Sequence, residues 1–236
     1  MVSVSGDGYM TIKNVISDMT IEQFRLFARN PHNIHRGNGV DGNYYSKHDG
    51  ERKYDVWWTK QPPIEMWLPI AQRLAPQINM FFDGEWNVHC VDCITTRPHS
   101  SKLYAHIDTP YRFEEFSGVD RTLGVQIIIP LDDFTIENGA TAFLPNSHSM
   151  MIDFRDLEVN RSKYNEMLLR DGTQFVAKAG DVLMYDGRTL HSTMPNNTDR
   201  FRSALLINVL LSEIVDKVKT LDKNTDFVSV DIVDVV

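Results

Sequence analysis

The chain has 236 residues, of which 42% are hydrophobic and 24% charged, and its formal net charge is −8. This length and composition predict one large soluble domain with a substantial core. The acidic balance argues against nucleic acid or an anionic membrane surface as a partner, because both repel negative charge.

Nothing near the N-terminus resembles a targeting segment. The first ten residues, MVSVSGDGYM, lack the basic and apolar regions of a secretory signal. Apolar runs such as ALLINVLL are too short to span a bilayer. We therefore expect a cytoplasmic protein.

The two cysteines, Cys90 and Cys93, have the C-x-x-C spacing of redox and zinc sites. A zinc site of that kind needs a second pair, however, and residues three apart on a strand point to opposite faces. We expect two unpaired and mostly buried thiols in a reducing compartment.

Helices are predicted early in the chain. Residues 20–30 (TIEQFRLFARN) carry an apolar stripe at helical spacing, with Thr20 as the expected N-cap. Residues 33–56 are rich in glycine, asparagine and charge without periodicity, which indicates a long loop of the kind that covers a site. A second helix is expected after QPP, with Pro63 in its first turn and a kink or restart at Pro69.

From about residue 85 to residue 212 the pattern changes to short apolar or alternating runs separated by turn residues. These runs are WNVHCVDCITT, KLYAHID, LGVQIIIPL, ATAFLP, TQFVAKAGDVLMYDG, LHSTMP and SALLINVLL. Many short strands with such punctuation predict a sandwich or barrel. Because helices precede strands, the predicted class is α+β, mainly β: a double-sheet jelly roll, cupin-like, with the helices of residues 1–84 packed on one sheet.

Residues 1–236 are thus expected to form a single domain. The pattern leaves the acidic C-terminal tail, residues 213–236, unassigned. An edge strand, a strand that pairs in a dimer and a frayed end are all compatible with its weak alternation.

The segment YAHIDTPYR, residues 104–112, places a histidine and an aspartate two residues apart. On a strand, His106 and Asp108 point to the same face and offer one nitrogen and one carboxylate oxygen to a metal ion. His191, on a late predicted strand, is the candidate third ligand. Two histidines and one carboxylate on one face leave the opposite coordination positions open, as in non-haem Fe(II) oxygenases. We therefore predict these three residues as the metal-binding and catalytic centre.

Four motifs, by their order and spacing, resemble the phytanoyl-CoA dioxygenase (PhyH-like) family over about residues 85–212. They are HID at 106–108, PLDDFTIENGATAFLPNSHS at 130–149, AGDVLMYDGRTLH at 179–191 and NNTDRFR at 196–202. Asn146 departs from the family pattern, which usually has glycine there, but asparagine tolerates the same left-handed turn. The resemblance implies a double-stranded β-helix, a form of jelly roll, and an enzyme that uses Fe(II), 2-oxoglutarate as cosubstrate, and O₂.

The resemblance also implies residues for the cosubstrate. The family places an arginine eleven residues after the distal histidine, which is Arg202 here, to grip the distal carboxylate of 2-oxoglutarate through paired hydrogen bonds. We expect Arg200 to face the opposite way, toward solvent. Thr95 lies where related enzymes carry a polar cosubstrate contact, and an ordinary hydrogen bond inside the barrel is the alternative. Gln126 interrupts an apolar run, and its amide needs a partner, which is either the cosubstrate or a group inside the barrel.

Three further residues are candidates for the substrate pocket. Tyr104 shares a face with His106, whereas Tyr111 and Arg112 follow the ligand pair and would reach over the open mouth. Core packing is the alternative for Tyr104, and a solvated side chain is the alternative for Arg112. The substrate is expected to be a small molecule whose identity the sequence does not reveal.

The predicted reaction is hydroxylation, coupled to oxidative decarboxylation of 2-oxoglutarate to succinate and CO₂. Related halogenases have a small residue where Asp108 stands, so halogenation is not expected, while desaturation and ring chemistry stay open. The alternatives are a non-catalytic jelly-roll metal- or ligand-binding protein and a cupin-type metal isomerase. Arg202 argues against a pure binding protein, which does not need a keto-acid clamp.

Overall fold

The computed structural model describes residues 6–35, 56–100, 104–222 and 230–231. The strands are β1 (Tyr9–Ile12), β2 (Ile34–His35), β3 (Val56–Thr59), β4 (Trp86–Thr96), β5 (Gly124–Pro130), β6 (Ala142–Phe143), β7 (Thr173–Gln174), β8 (Val182–Asp186), β9 (His191–Ser192), β10 (Arg202–Leu211) and β11 (Val230–Asp231). The helices are α1 (Asp18–Arg29), α2 (Ile64–Ile78), α3 (Phe154–Val159), α4 (Arg161–Asp171) and α5 (Val215–Leu221). The predicted loop at 33–56 lies almost entirely outside the described residues.

Two antiparallel sheets form the predicted jelly roll. The major sheet has the order β1-β8-β5-β10-β4-β3-β2, with β11 paired to β4 beside this path, and the minor sheet has the order β7-β6-β9. Short strands separated by turns cannot bury their apolar faces singly, so the two sheets pack against each other.

The two faces of the major sheet have different partners. The outer face, which includes Ile127 and Ile129, packs in one apolar cluster with Phe24 of α1 and Trp67 of α2. The inner face carries a second cluster, in which Ile128 packs with aromatic residues of the minor sheet and its loops. Because both faces are covered, β5 is buried throughout. This alternation decides which side chains enter the barrel and which lie under the helices.

Two details of the N-terminal helices differ from the sequence prediction. Ser17, and not Thr20, caps α1, since its hydroxyl accepts the Thr20 N–H at 3.3 Å. The helix α2 continues through Pro69 without a restart, with Pro63 at the N-cap position. Packing of Trp67 and Leu74, both buried, stabilises the helix by more than the one backbone hydrogen bond that Pro69 removes.

Between β6 and β7 the chain forms α3 and α4, which the sequence analysis did not predict. The hydrophobic periodicity there is weak, and only Leu157 of α3 and Tyr164 and Leu168 of α4 are buried. The predicted strand KLYAHID is also different, because its described part makes a single bridge at His106 and not a ladder.

Both cysteines are free, as predicted, and they lie on opposite faces of β4. Cys93 is buried in the outer cluster, whereas Cys90 is half-buried on the inner face. Burial raises the pKa of the Cys93 thiol, which therefore stays protonated. Among the described residues, no helix is long and apolar enough to cross a membrane.

Candidate active site

The two histidines of the predicted triad face each other across an antiparallel backbone bridge. The His106 N–H donates to the His191 carbonyl at 3.0 Å, and the His191 N–H donates to the His106 carbonyl at 3.0 Å. The Asp108 N–H donates to the Gly187 carbonyl at 2.8 Å. These bonds fix the HID segment beside β9, so all three side chains emerge from one rigid backbone frame.

Each histidine is also oriented by the chain just before it. Nδ1 of His106 lies 2.8 Å from the Tyr104 carbonyl, and Nδ1 of His191 lies 2.9 Å from the Thr189 carbonyl. A carbonyl oxygen only accepts, so both Nδ1 atoms carry the proton. The tautomer is thereby fixed, and the lone pair of each Nε2 is free to bind a metal ion.

The three side chains converge on one point. Nε2 of His106 is 3.9 Å from Oδ1 of Asp108, and Nε2 of His191 is 3.4 Å from Oδ2 of Asp108. One ligand atom from each residue lies within 4.8 Å of the others. Transition metals bind such nitrogen and oxygen ligands at about 2.1 Å. One divalent ion therefore fits between the three ligand atoms if the side chains move slightly closer together.

The environment of the Asp108 carboxylate favours a bound cation. Burial raises the pKa of Asp108, although His191 and the Tyr185 hydroxyl beside it act in the opposite direction. Oδ2 of Asp108 is buried and has no hydrogen-bond partner among the described residues. A buried carboxylate oxygen without a partner is costly, and a bound metal ion would remove that cost.

The helix α4 supports the ligand segment from outside. The Ala105 N–H donates to Oδ1 of Asn165 at 2.8 Å, and the Ala105 carbonyl accepts from Arg161. The Tyr104 N–H donates to the Ser192 hydroxyl at 2.8 Å. Because HID lacks a ladder, side chains provide the hydrogen bonds that a neighbouring strand would otherwise make. No pattern in the residues of α4 indicates this support, so sequence reasoning missed it.

Arg202 enters the barrel at the start of β10. Its side chain is 1% exposed, its Nη2 donates to the Thr96 hydroxyl at 2.5 Å, and its guanidinium carbon lies 4.6 Å from the Phe134 ring centre. Nε and Nη1 of Arg202 are buried without a hydrogen-bond partner among the described residues. Burial lowers the pKa of Arg202 to about 10. Arg200 is exposed.

Thr95 does not reach the site. It pairs with Ser203 in the register of β4 and β10, and the two hydroxyls are 2.9 Å apart on the outer face. The neighbouring Thr96 points inward and is the one that contacts Arg202. Thr95 therefore makes an ordinary hydrogen bond on the outer face, because adjacent residues on a strand point to opposite faces.

Gln126 lies on the inner face of β5 and is paired in register with Asn208 of β10 and Tyr185 of β8. Its Oε1 accepts a hydrogen bond from Nδ2 of Asn208 at 3.1 Å. Asn208, which the sequence analysis did not single out, is 4% exposed. Of the two alternatives given for Gln126, the structure shows the hydrogen bond to a group inside the barrel.

The three candidates for substrate contact have different surroundings. Tyr104 is half-buried, with its ring 6.2 Å from that of His106 and its other face covered by Arg161. Tyr111 is 3% exposed, and its hydroxyl donates to the Arg121 carbonyl at 2.9 Å, so it packs in the core. Arg112 forms an ion pair with the buried Asp222.

The similarity of this chain to known proteins agrees with this geometry. The family model described as phytanoyl-CoA dioxygenase (PhyH) matches residues 4–204. A curated relative, the Fe(II)/2-oxoglutarate-dependent dioxygenase nvfF of Aspergillus novofumigatus, is 27% identical over 146 residues, which cover 60% of this chain and 44% of that protein. Dioxygenase FUM3 of Gibberella moniliformis is 31% identical over 85 residues, 36% of this chain and 25% of that protein. The matches thus span less than half the length of these relatives.

Solved structures share the fold at low identity. The non-haem α-ketoglutarate-dependent epimerase SnoN from nogalamycin biosynthesis has a TM-score of 0.65 and 15% identity, covering 89% of this chain and 78% of its own. HygX from Streptomyces hygroscopicus, solved with nickel and 2-oxoglutarate, has a TM-score of 0.64 and 13% identity, covering 89% and 85%. With a family model that spans most of its length, the chain belongs to the phytanoyl-CoA dioxygenase (PhyH) family.

Proposed function

We propose that this protein is an Fe(II)- and 2-oxoglutarate-dependent dioxygenase that hydroxylates a small-molecule substrate, with His106, Asp108 and His191 as the iron ligands. The observation that carries the proposal is the orientation of the two imidazoles. Backbone carbonyls hold both Nδ1 protons, so both Nε2 lone pairs point toward the Asp108 carboxylate. A plain structural cluster has no need of that arrangement.

Arg202 is proposed to bind the distal carboxylate of 2-oxoglutarate. Its two unpartnered donors, Nε and Nη1, are buried in the barrel interior. Nε and Nη1 do not form a parallel pair, because Cδ lies on that side of the guanidinium. A carboxylate would accept its two parallel hydrogen bonds from Nη1 and the second N–H of Nη2, and in a buried site such bonds are strong. Thr96 keeps the third side of the guanidinium in place through Nη2. The family of the chain and the nickel and 2-oxoglutarate bound to HygX are consistent with this assignment.

The residues divide the work as follows. Bound Fe(II) supplies the oxidising chemistry, together with the keto acid and O₂. His106, Asp108 and His191 would hold the Fe(II) through two nitrogens and one carboxylate, the ligand set typical of non-haem Fe(II) oxygenases. The apolar inner cluster around Phe134 and Ile128 keeps bulk water out of the barrel.

Hydroxylation is the outcome that we propose among those known for related enzymes. The relatives differ in reaction, since SnoN is described as an epimerase and SnoK as a carbocyclase. Asp108 stands where related halogenases have a small residue, and its carboxylate would take the coordination position that a halide needs. Halogenation is therefore not proposed. The hydroxylated product that the enzyme forms from its substrate under ¹⁸O₂ should contain one labelled oxygen atom.

Release of succinate from 2-oxoglutarate tests the function without knowledge of the substrate. Purified protein with Fe(II), ascorbate and O₂ should convert 2-oxoglutarate slowly to succinate, and a screen of small metabolites should identify compounds that accelerate this conversion. His191→Ala should abolish it, whereas Arg200→Ala, an exposed matched control, should not. Oxygen-independent turnover of a substrate with Mn, Ni or Zn, and no succinate, would instead indicate a cupin-type isomerase.

A further inference from the structure

The inner face of the major sheet carries a row of polar side chains that the metal ligands and Arg202 do not explain. Strand register aligns Cys90, Asn208, Gln126 and Tyr185 across β4, β10, β5 and β8. Residues in register on neighbouring strands share a face, with Cα atoms about 5 Å apart. At one end of the row, the Tyr185 ring lies 4.8 Å from the ring of His191, measured between ring centres.

Gln126 and Asn208 follow Tyr185 across the same face of the sheet. The row therefore borders the triad at its Tyr185 end. A substrate next to the metal position would lie against these side chains.

Asn208 has one buried atom without a partner. Its Nδ2 donates to Gln126, whereas its Oδ1 is buried and accepts no hydrogen bond from the described residues. Asp108 Oδ2 and the Nη1 atom of Arg202 share this condition, and the proposed function gives them the metal ion and the keto acid as partners. A buried acceptor left unpaired costs stability, so a ligand that supplies a donor at this position would be favoured.

Another buried asparagine of the same barrel shows what a purely structural amide looks like. Asn196 is 0% exposed, and its Nδ2 donates to the carbonyls of Arg97 at 3.0 Å and Arg200 at 2.8 Å. Its Oδ1 accepts from the Thr198 N–H at 3.1 Å and the Thr198 hydroxyl at 2.7 Å. Asn196 is fully bonded and holds a turn, and in this it differs from Asn208.

We propose that Asn208 accepts a hydrogen bond from a hydroxyl or amino group of the substrate, and that the substrate class is therefore a compound with such a donor near the reacting carbon. The inference rests on the proposed function, since it takes the triad as the metal site. Asn208 acts as a specificity-determining residue, and Gln126 orients its amide.

A pair of small probes tests this acceptor without knowledge of the natural substrate. Cyclohexanol carries a hydrogen-bond donor, and cyclohexanone, of nearly the same shape, carries only an acceptor. Each is titrated anaerobically into the protein loaded with Fe(II) and 2-oxoglutarate, and the change in the visible charge-transfer band is followed. The wild-type protein should bind cyclohexanol several-fold more tightly, as expected for about one hydrogen bond. Asn208→Leu, of similar volume, should abolish the preference, and Asn208→Asp should shift it toward cyclohexylamine.

Equal binding of the two ring probes, a preference for cyclohexanone, a preference that survives Asn208→Leu or no binding of either would overturn the proposal. Formation of the charge-transfer band before any probe is added tests the proposed function separately. Thermal unfolding provides the structural control. Asn208→Leu should lower Tm of the apoprotein much less than Asn196→Leu, because it breaks one side-chain hydrogen bond, to Gln126, whereas Asn196→Leu breaks four. A loss for Asn208→Leu as large as that for Asn196→Leu would show that the amide is structural and would also overturn the proposal.

Discussion

Replacement of Arg202 by methionine distinguishes the stability cost of its buried charge from the contribution of that charge to 2-oxoglutarate binding. The guanidinium is 1% exposed, with Phe134 against it and one hydrogen bond to Thr96. Burial lowers its pKa to about 10, which corresponds to a cost on the order of 3 kcal/mol for keeping the charge inside the fold. Because the folded-state pKa is lowered, this cost is present at pH 7 and disappears only as the pH rises above about 10. Arg202→Met should therefore leave the apoprotein as stable as the wild type, or more stable.

The same substitution should greatly weaken cosubstrate binding. Two hydrogen bonds from a guanidinium to a carboxylate contribute about 1.5 to 3 kcal/mol each, so their loss should raise the Kd for 2-oxoglutarate by roughly 10² to 10⁴. Arg202→Lys keeps a charge but not the paired geometry, so its Kd for 2-oxoglutarate should lie between those of the wild type and Arg202→Met. Titration calorimetry of the Mn(II)-loaded protein with 2-oxoglutarate measures both effects, with Mn(II) standing in for Fe(II).

Arg200→Met is the matched control, since Arg200 lies two residues away on the exposed side of the chain. Its Kd for 2-oxoglutarate should stay within about twofold of the wild-type value, because exposed charges contribute little. A large increase for Arg200→Met with a normal Kd for Arg202→Met would refute the reasoning. A Tm loss of many degrees for Arg202→Met would show that the arginine is structural.

Three other changes test the supporting contacts. Thr96→Val should weaken 2-oxoglutarate binding about 3- to 10-fold in the same calorimetric assay, whereas Thr95→Val, on the outer face, should leave it unchanged. The reverse result would contradict the placement of Thr96 inside the barrel. Asn165→Ala should lower Co(II) affinity about tenfold with little change in Tm, because it loosens the segment that carries His106, and an unaltered metal affinity would contradict that role. Asp181→Asn should cost about 1 to 2 kcal/mol of unfolding free energy at pH 7, since hydrogen bonds and Lys13 lower the pKa of Asp181 against the effect of burial. That stabilisation is present above the ordinary aspartate pKa and is lost as the pH falls through the lowered one, so urea titrations of the two proteins should converge in acid.

The metal site could be predicted from the sequence because its chemistry is local. A histidine and an aspartate two residues apart restrict the geometry strongly, and His191 needed only the correct strand order. Arg202 is buried and Arg200 is exposed, as expected, but alternation is not the reason: residues two apart on a strand share a face, and Arg200 precedes β10. These inferences depend on residue type and spacing, which the sequence contains directly.

Inferences that depended on register or on tertiary support were less successful. Thr95 and Thr96 are chemically alike and adjacent, and only the pairing of β4 with β10 decides which one enters the barrel. Asn165 supports the HID segment from a helix sixty residues away in sequence, and no local pattern indicates that contact. Asn208 sits in the apolar run SALLINVLL, where its unpaired oxygen becomes visible only when its neighbours are known.

The most direct test of the central claim is the anaerobic absorption spectrum of the protein with one equivalent of Fe(II) and added 2-oxoglutarate. Chelation of ferrous iron by a keto acid gives a visible charge-transfer band. We predict that this band appears with the wild-type protein at one iron per chain and is lost in His106→Ala and His191→Ala. A wild-type protein that binds no Fe(II), or a band that persists in both variants, would contradict the account.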